Sequence, residues 1–165
     1  MDLDEEFGTE REMLEAGLDH GREIAIAKVR GLSWEDATRR LGPSATSAAG
    51  VIRHLTDVER FWFRLQMAGE DGVPFRWSDD EEDLEFNFTE DDNLEAVVAD
   101  YEAACAESRF IAAKFDLTDQ AVRPDRHGTR SSLRWMFLHM IEETSRHNGH
   151  LDIYRELLDG KIGYM

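Results

Sequence analysis

The sequence predicts an all-α protein, a four-helix bundle with a long crossover between the second and third helices. Four long segments repeat apolar residues at spacings of three and four, the pattern of one helix face. Three prolines and no alternating Val/Ile/Thr runs argue against a β sandwich or barrel. The 41% hydrophobic content excludes a disordered chain, and 165 residues fit one domain spanning 1–165.

The first long helix is predicted over residues 5–29. Its apolar stripe is Leu14, Leu18, Ala25 and Val29. Gly17 and Gly21 lower the helix propensity of this segment, and Gly31 ends the pattern. Ser33, followed three residues later by Asp36, is typical of a helix N-terminus. A short helical connector should therefore lead to the second long helix.

The second helix should start within residues 44–47 and run to about residue 68. Its stripe is Val51, Leu55, Val58, Trp62 and Leu65. The acidic segment 71–92 that follows, DGVPFRWSDDEEDLEFNFTEDD, is interpreted as a crossover. Four of its large apolar residues, Trp77, Leu84, Phe86 and Phe88, would anchor it while its acidic side chains stay in water. Residues 86–88 could instead close over a pocket as a lid, but we favour anchoring.

The third and fourth helices are predicted from stripes and caps of the same kind. The third should open at Asp92 or Asn93. Its stripe is Leu94, Val98, Tyr101, Cys105, Ser108, Ala112 and Phe115. After a loop, Ser131 or Ser132 should cap a fourth helix that ends near residue 158. One long connection among four helices matches a known bundle architecture.

Composition excludes several classes of function. The formal net charge of -17 would repel a phosphate backbone, so we expect no nucleic-acid partner. No apolar run approaches the roughly 20 residues of a membrane span, and the acidic N-terminus is unlike a signal peptide, so we expect a cytoplasmic protein with no membrane partner. Cys105 is the only cysteine, which excludes thiolate zinc clusters and iron–sulfur sites and fits a small core residue.

The fourth helix carries a polar cluster on its apolar face. At about 100° per residue, Glu143, His147 and His150 lie within about 80° of His139. Several apolar side chains share this sector, among them Trp135, Met136, Met140, Tyr154 and Leu157. A carboxylate turned toward a bundle interior costs several kcal/mol unless it is paired or bound to a cation. Glu143 therefore needs a partner.

A metal site is one candidate for that partner. His54 falls between the apolar residues of the second helix, so its imidazole should face the same interior at bundle depth. Two imidazoles and one carboxylate form a familiar zinc ligand set that leaves a position for water or substrate. We predict His54, Glu143 and His147 as the ligands. From spacing alone, a hydrogen-bonded core network of the same three side chains is an equal alternative.

Other polar residues could act beside these ligands. His139 and His150 are candidates for contacts behind the ligands or in a substrate pocket; for His139 a hydrogen-bonded helix-face role is favoured, and for His150 the alternatives stay even. Arg134 and Arg146 could bind a substrate carboxylate, although surface ion pairing is the preferred interpretation. Glu59 is expected to form a surface pair or a contact behind the ligands.

Two sequence runs carry a resemblance to a known family. HMIEETSRHNGH with DIYRELLDG, together with LGPSATSAAGVIRHLTDVERFWF, resembles the DinB/YfiT-like superfamily, in particular its branch related to mycothiol-dependent maleylpyruvate isomerase and that enzyme's N-terminal metal-binding domain. The resemblance covers nearly the whole chain. It implies a metal held by His54, Glu143 and His147, and the Glu at 143 indicates the mycothiol-linked branch.

The resemblance also implies a chemistry. Because the isomerase has a further C-terminal domain and this sequence ends at Met165, we expect a substrate other than maleylpyruvate. The implied activity is a metal-dependent thiol S-transferase that uses a cosubstrate such as mycothiol, a small electrophile, and zinc or, as an alternative, nickel. Family members often form dimers, so a homodimer is compatible. The alternatives are a non-catalytic metal-binding or stress-responsive bundle and a purely structural polar core.

Overall fold

Five α-helices account for most of the residues that the computed structural model describes, which are 8–77, 84–125 and 127–163. These helices are α1 (Glu10–Val29), α2 (Trp34–Thr38), α3 (Ala48–Glu59), α4 (Leu94–Ala112) and α5 (Leu133–Asp159). No β-strand occurs in those ranges, so the all-α prediction is confirmed. The long helices pack chiefly as two pairs, α1 on α5 and α3 on α4. None of the described helices has the length and hydrophobicity to cross a bilayer.

The N-terminal ends of α1 and α2 are fixed by side-chain caps. Thr9 accepts a hydrogen bond from the backbone N–H of Glu12, whose carboxylate accepts one in return from the Thr9 N–H at 2.6 Å. The helix therefore begins at Glu10, later than predicted; the predicted start at residue 5 lies outside the described residues. Ser33 caps α2 as predicted, accepting from the Asp36 N–H at 3.1 Å.

The second predicted helix is only partly α-helical. Ser47 caps α3, but from Arg60 to Met67 the chain forms a π-helix. A π-turn contains more residues than an α-turn, so the buried face shifts along the sequence. Phe63 and Met67 become fully buried, whereas Trp62 and Leu65, which the α-helical pattern turned inward, are only partly buried.

The ends of α4 and α5 agree with the predicted signals. Asn93 accepts from the Ala96 N–H at 2.9 Å and Ser132 accepts from the Trp135 N–H at 3.3 Å. Gly160 terminates α5 in the left-handed region at φ 73°, a conformation that glycine adopts without steric cost. Between these ends α5 packs mainly against α1, and its polar cluster faces His54 of α3.

The predicted position of Glu59, in a surface pair or behind the ligands, is wrong. Glu59 is completely buried at the end of α3, where it accepts two hydrogen bonds from Arg22 of α1, at 2.7 and 2.6 Å. Arg22 is also bound by Asp19. Arg22 lies 37 residues from Glu59 in sequence, and the periodicity of a single helix gives no information on a partner in another helix. The pair is a buried ion pair and not a surface contact.

The crossover is anchored to α3 by its aromatic residues, as predicted for the part that is described. The ring of Phe86 lies against Gly50, at a place where any Cβ would overlap it. Phe88 packs edge-on against Trp34 at 5.0 Å and lies 4.2 Å from the guanidinium of Arg53. The acidic residues at 79–83 lie outside the described residues.

Candidate metal centre

Three side chains from two helices converge at one point. His54 comes from α3, and Glu143 and His147 come from consecutive turns of α5. The Nε2 atoms of His54 and His147 lie 3.3 and 3.1 Å from the same oxygen, Oε1 of Glu143. The two imidazole rings are 4.7 Å apart, and one donor atom from each residue lies within 4.8 Å of the others. The structure therefore brings together all three predicted ligands.

Helix geometry explains the convergence, but it places the cluster at the edge of the core. Val51 and Leu55 of α3 are fully buried, as are Met136 and Met140 of α5. The three polar side chains flank these stripes and retain some exposure: 21% for His54, 17% for Glu143 and 16% for His147. The expectation that His54 lies at bundle depth is therefore wrong, and the cluster is partly exposed to solvent.

The cluster favours the charge states that a cation needs. Burial opposes ionisation of Glu143, but hydrogen bonding by His54 and the charge of His147 outweigh it and hold the pKa of this carboxyl below its ordinary value. Burial and the neighbouring His54 lower the pKa of His147, although Glu143 opposes them. An ionised Glu143 beside a neutral His147 is the state that binds metal.

The donor set fits a divalent cation. Two imidazole nitrogens and one carboxylate oxygen are ligands that zinc accepts, and three protein ligands leave a coordination position open. The group is the one cluster among the described residues in which three His, Cys, Asp or Glu side chains come within ligand distance. Nε2 of His147 is the better placed of its two nitrogens to bind, because it faces Oε1 of Glu143 at 3.1 Å; its buried Nδ1 has no hydrogen-bond partner among the described residues. The assignment of the three as ligands stays a prediction.

Comparison with known proteins places this geometry in a family. A family model described as Mycothiol-S-transferase matches residues 13–160. The chain belongs to this family. The match includes all three residues of the cluster and the crossover, and it confirms the resemblance to a DinB/YfiT-like, mycothiol-related family. No curated protein matches the chain significantly.

In this member of the mycothiol S-transferase family, the two other histidines of the α5 face lie on opposite sides of the cluster. His139 stacks on Trp135 with ring centroids 5.0 Å apart and meets Trp62 edge-on at 4.8 Å. His150 is exposed, with its ring 5.4 Å from that of His147. Neither joins the three-residue cluster, and their predicted contacts with ligands or substrate stay predictions.

The two predicted anion-binding arginines differ in position. Arg134 is paired with Glu10 of α1 at 2.6 and 3.0 Å. Arg146 is exposed, binds Glu142 at 2.9 Å and approaches Oε2 of Glu143 at 3.7 Å. Arg146 is therefore the one beside the cluster, although both form the surface ion pairs that the sequence favoured.

Sequence reasoning missed two crossover residues at the site. Glu85 places Oε1 3.5 Å from Nδ1 of His54, and the Trp77 ring lies 6.0 Å from the His54 ring. Trp77 stacks on Phe75 at 5.7 Å and packs against Phe61 at 5.5 Å, and the adjacent Arg76 donates to the buried carboxylate of Asp57 at 2.8 Å. Nothing periodic singles out Glu85; its only signal is its place between Leu84 and Phe86 in the pattern LEF.

Proposed function

We propose that the protein is a metal-dependent thiol S-transferase. His54, Glu143 and His147 hold a divalent cation, and a low-molecular-weight thiol such as mycothiol is transferred or added to a small electrophile. The observation that carries the proposal is the convergence of two imidazole Nε2 atoms on one carboxylate oxygen, in a chain of the mycothiol S-transferase family.

Zinc is the first choice of cation and nickel the second, because imidazole and carboxylate accept both. A divalent cation bound here would lower the pKa of a coordinated thiol and so supply a thiolate at neutral pH. With neutral imidazoles and an ionised Glu143, the site would carry about one net positive charge, which favours binding of an anionic sulfur.

The chain's own residues supply the remaining requirements. The partial exposure of the three ligands leaves a path for the thiol. Arg146 can attract an anionic group of the cosubstrate toward Glu143, because its guanidinium is exposed and adjacent. Trp77 beside His54, and Trp135 beside His139, present exposed rings that can contact an apolar electrophile.

The reaction balances without an oxidant or reductant. The thiol gives its proton to solvent and its sulfur lone pair forms a bond to carbon. A leaving group then departs with its electron pair, or, for addition to an activated double bond, the adjacent carbon takes up a proton.

The test is thiol consumption by the purified protein. Samples loaded with zinc or nickel, and chelated samples, are assayed with mycothiol and a panel of electrophiles, together with Glu143→Ala and His147→Ala. Glu156→Ala is the matched control, since this carboxylate is exposed on α5 and lies away from the cluster and from Arg146. We expect metal-dependent turnover that both site variants lose and the control keeps. The proposal fails if loaded protein neither consumes nor binds the thiol, and the ligand assignment fails if both site variants keep full metal occupancy.

A further inference from the structure

The carboxylate of Glu85 lies at the far nitrogen of His54. Its Oε1 is 3.5 Å from Nδ1, while Nε2 of the same ring faces Glu143. The two nitrogens of an imidazole point to opposite sides of the ring, so Glu85 cannot ligate the cation that His54 would bind through Nε2. It is placed to act on the orientation and tautomer of His54 instead.

The two histidines of the cluster differ in this respect. Nδ1 of His147 is buried, and none of the described residues forms a hydrogen bond with it. Nδ1 of His54 faces a carboxylate whose side chain is itself only 13% exposed. Metal-binding histidines usually donate this second N–H to a carboxylate or carbonyl, which fixes the ring and raises its basicity. Of the two ligands, only His54 has such a carboxylate among the described residues.

Two contacts between α3 and the residues that follow Glu85 fix the position of Glu85. Phe86 is seated on Gly50, one helical turn before His54. Arg53, adjacent to His54, donates to the backbone oxygen of Asn87 at 2.9 Å. These attachments hold the short 3₁₀ turn Leu84–Phe86 against the same turn of α3 that presents the imidazole. The carboxylate of Glu85 is therefore held near His54 by contacts of its own segment with α3.

We propose that Glu85 is a positioning residue of the metal centre. When a cation occupies Nε2 of His54, this carboxylate accepts the Nδ1 proton and thereby holds the ring with Nε2 directed at Glu143 and His147. The inference rests on the proposed function, because it concerns the same site. The inference gives the acidic crossover a role, because the crossover brings the carboxylate of Glu85 to Nδ1 of His54.

The first test is the zinc affinity of Glu85→Ala and Glu85→Gln, measured by competition with a chromophoric chelator. We expect Glu85→Ala to bind zinc about 10- to 100-fold more weakly than the unaltered protein. Glu85→Gln should recover part of the loss, because its amide oxygen can accept the same proton. Glu90→Gln is the matched control, since it removes one negative charge from an exposed position of the same crossover and should bind zinc normally.

The second test follows the Nδ1 proton of His54 in the zinc-loaded protein. In ¹H–¹⁵N spectra we expect this proton to exchange slowly with water, because Glu85 accepts it, and Glu85→Ala to make its exchange faster. Thermal unfolding shows whether each variant is folded.

The outcomes separate this inference from the proposed function. Equal zinc affinities for folded Glu85→Ala and Glu90→Gln, or an unchanged exchange rate of the His54 Nδ1 proton in Glu85→Ala, would overturn the role of Glu85 and leave the transferase proposal standing. Failure of the unaltered protein to bind zinc or nickel would overturn both. A loss specific to Glu85→Ala in a protein without turnover would support the positioning role and contradict only the activity.

Discussion

Replacing Arg22 by Met should destabilise the protein more than replacing Glu59, its partner in a buried ion pair, by Met. Glu59 is 0% exposed, and its carboxylate is held by two hydrogen bonds from Arg22. Its other polar neighbour is the Cys105 thiol, at a distant 3.9 Å. Arg22→Met therefore leaves a buried carboxylate with almost no compensation.

The structure also sets the relative sizes of the two single substitutions. Removing one partner of a buried ion pair costs about 3–5 kcal/mol, and this is what we expect for Arg22→Met. Glu59→Met should cost about 1–3 kcal/mol, because Arg22 keeps its 2.7 Å contact with Asp19, which reaches solvent. The double variant should be more stable than Arg22→Met alone, since the stranded charge is gone. Against a typical total of about 5–15 kcal/mol, these differences are large.

Urea unfolding of the metal-free protein, followed by circular dichroism, measures all four free energies of the cycle. Metal is removed so that ligand binding does not add to the stability. A cost for Arg22→Met no larger than about 1 kcal/mol, the size expected for an exposed pair, would refute the burial of this pair. A double variant less stable than Arg22→Met would refute the argument from the stranded carboxylate.

Three further predictions follow from single contacts. Gly50→Ala should destabilise the fold by about 1–3 kcal/mol in the same urea assay, because the new methyl group overlaps the Phe86 ring; an unchanged stability would contradict the docking of the crossover. Burial raises the pKa of the Cys105 thiol to about 12, so a thiol-specific reagent should label it in urea but not in the native protein at neutral pH; rapid native labelling would contradict its burial. The pKa of His147 in the folded protein is below its ordinary 6.5, so on acidification the unfolded chain binds a proton at a higher pH than the folded protein does. The free energy of unfolding of the metal-free protein should therefore fall as the pH drops below 6.5. An equally steep fall in a His147→Gln variant would contradict this prediction.

Features that depend on neighbours in sequence could be predicted. The caps at Ser33, Asn93 and Ser132 rest on residues within three positions; the sequence predicts Ser33 directly and leaves Asn93 and Ser132 each as one of two adjacent candidates. Glu143 and His147 lie one turn apart on α5, so the helix itself brings them together. His54 could be predicted to face α5 from its place between the apolar residues of α3, although the same pattern placed it deeper than it lies.

Features that depend on distant parts of the chain could not be predicted. The pair formed by Arg22 and Glu59 joins two helices, and nothing in either pattern identifies the partner. The π-helix after Glu59 changes the buried face where the apolar spacing still reads as α-helix. Glu85 reaches His54 only because Phe86 docks on Gly50, a contact between residues far apart in sequence. The composition of an acidic segment does not show which of its carboxylates approaches the site.

The central claim is that His54, Glu143 and His147 hold one divalent cation. Anomalous diffraction from zinc-loaded crystals, collected above the zinc absorption edge, tests it most directly. We predict one strong peak about 2.0–2.2 Å from Nε2 of both histidines and from a carboxylate oxygen of Glu143. Peaks only at other sites, with the three side chains still hydrogen-bonded to one another, would contradict the claim.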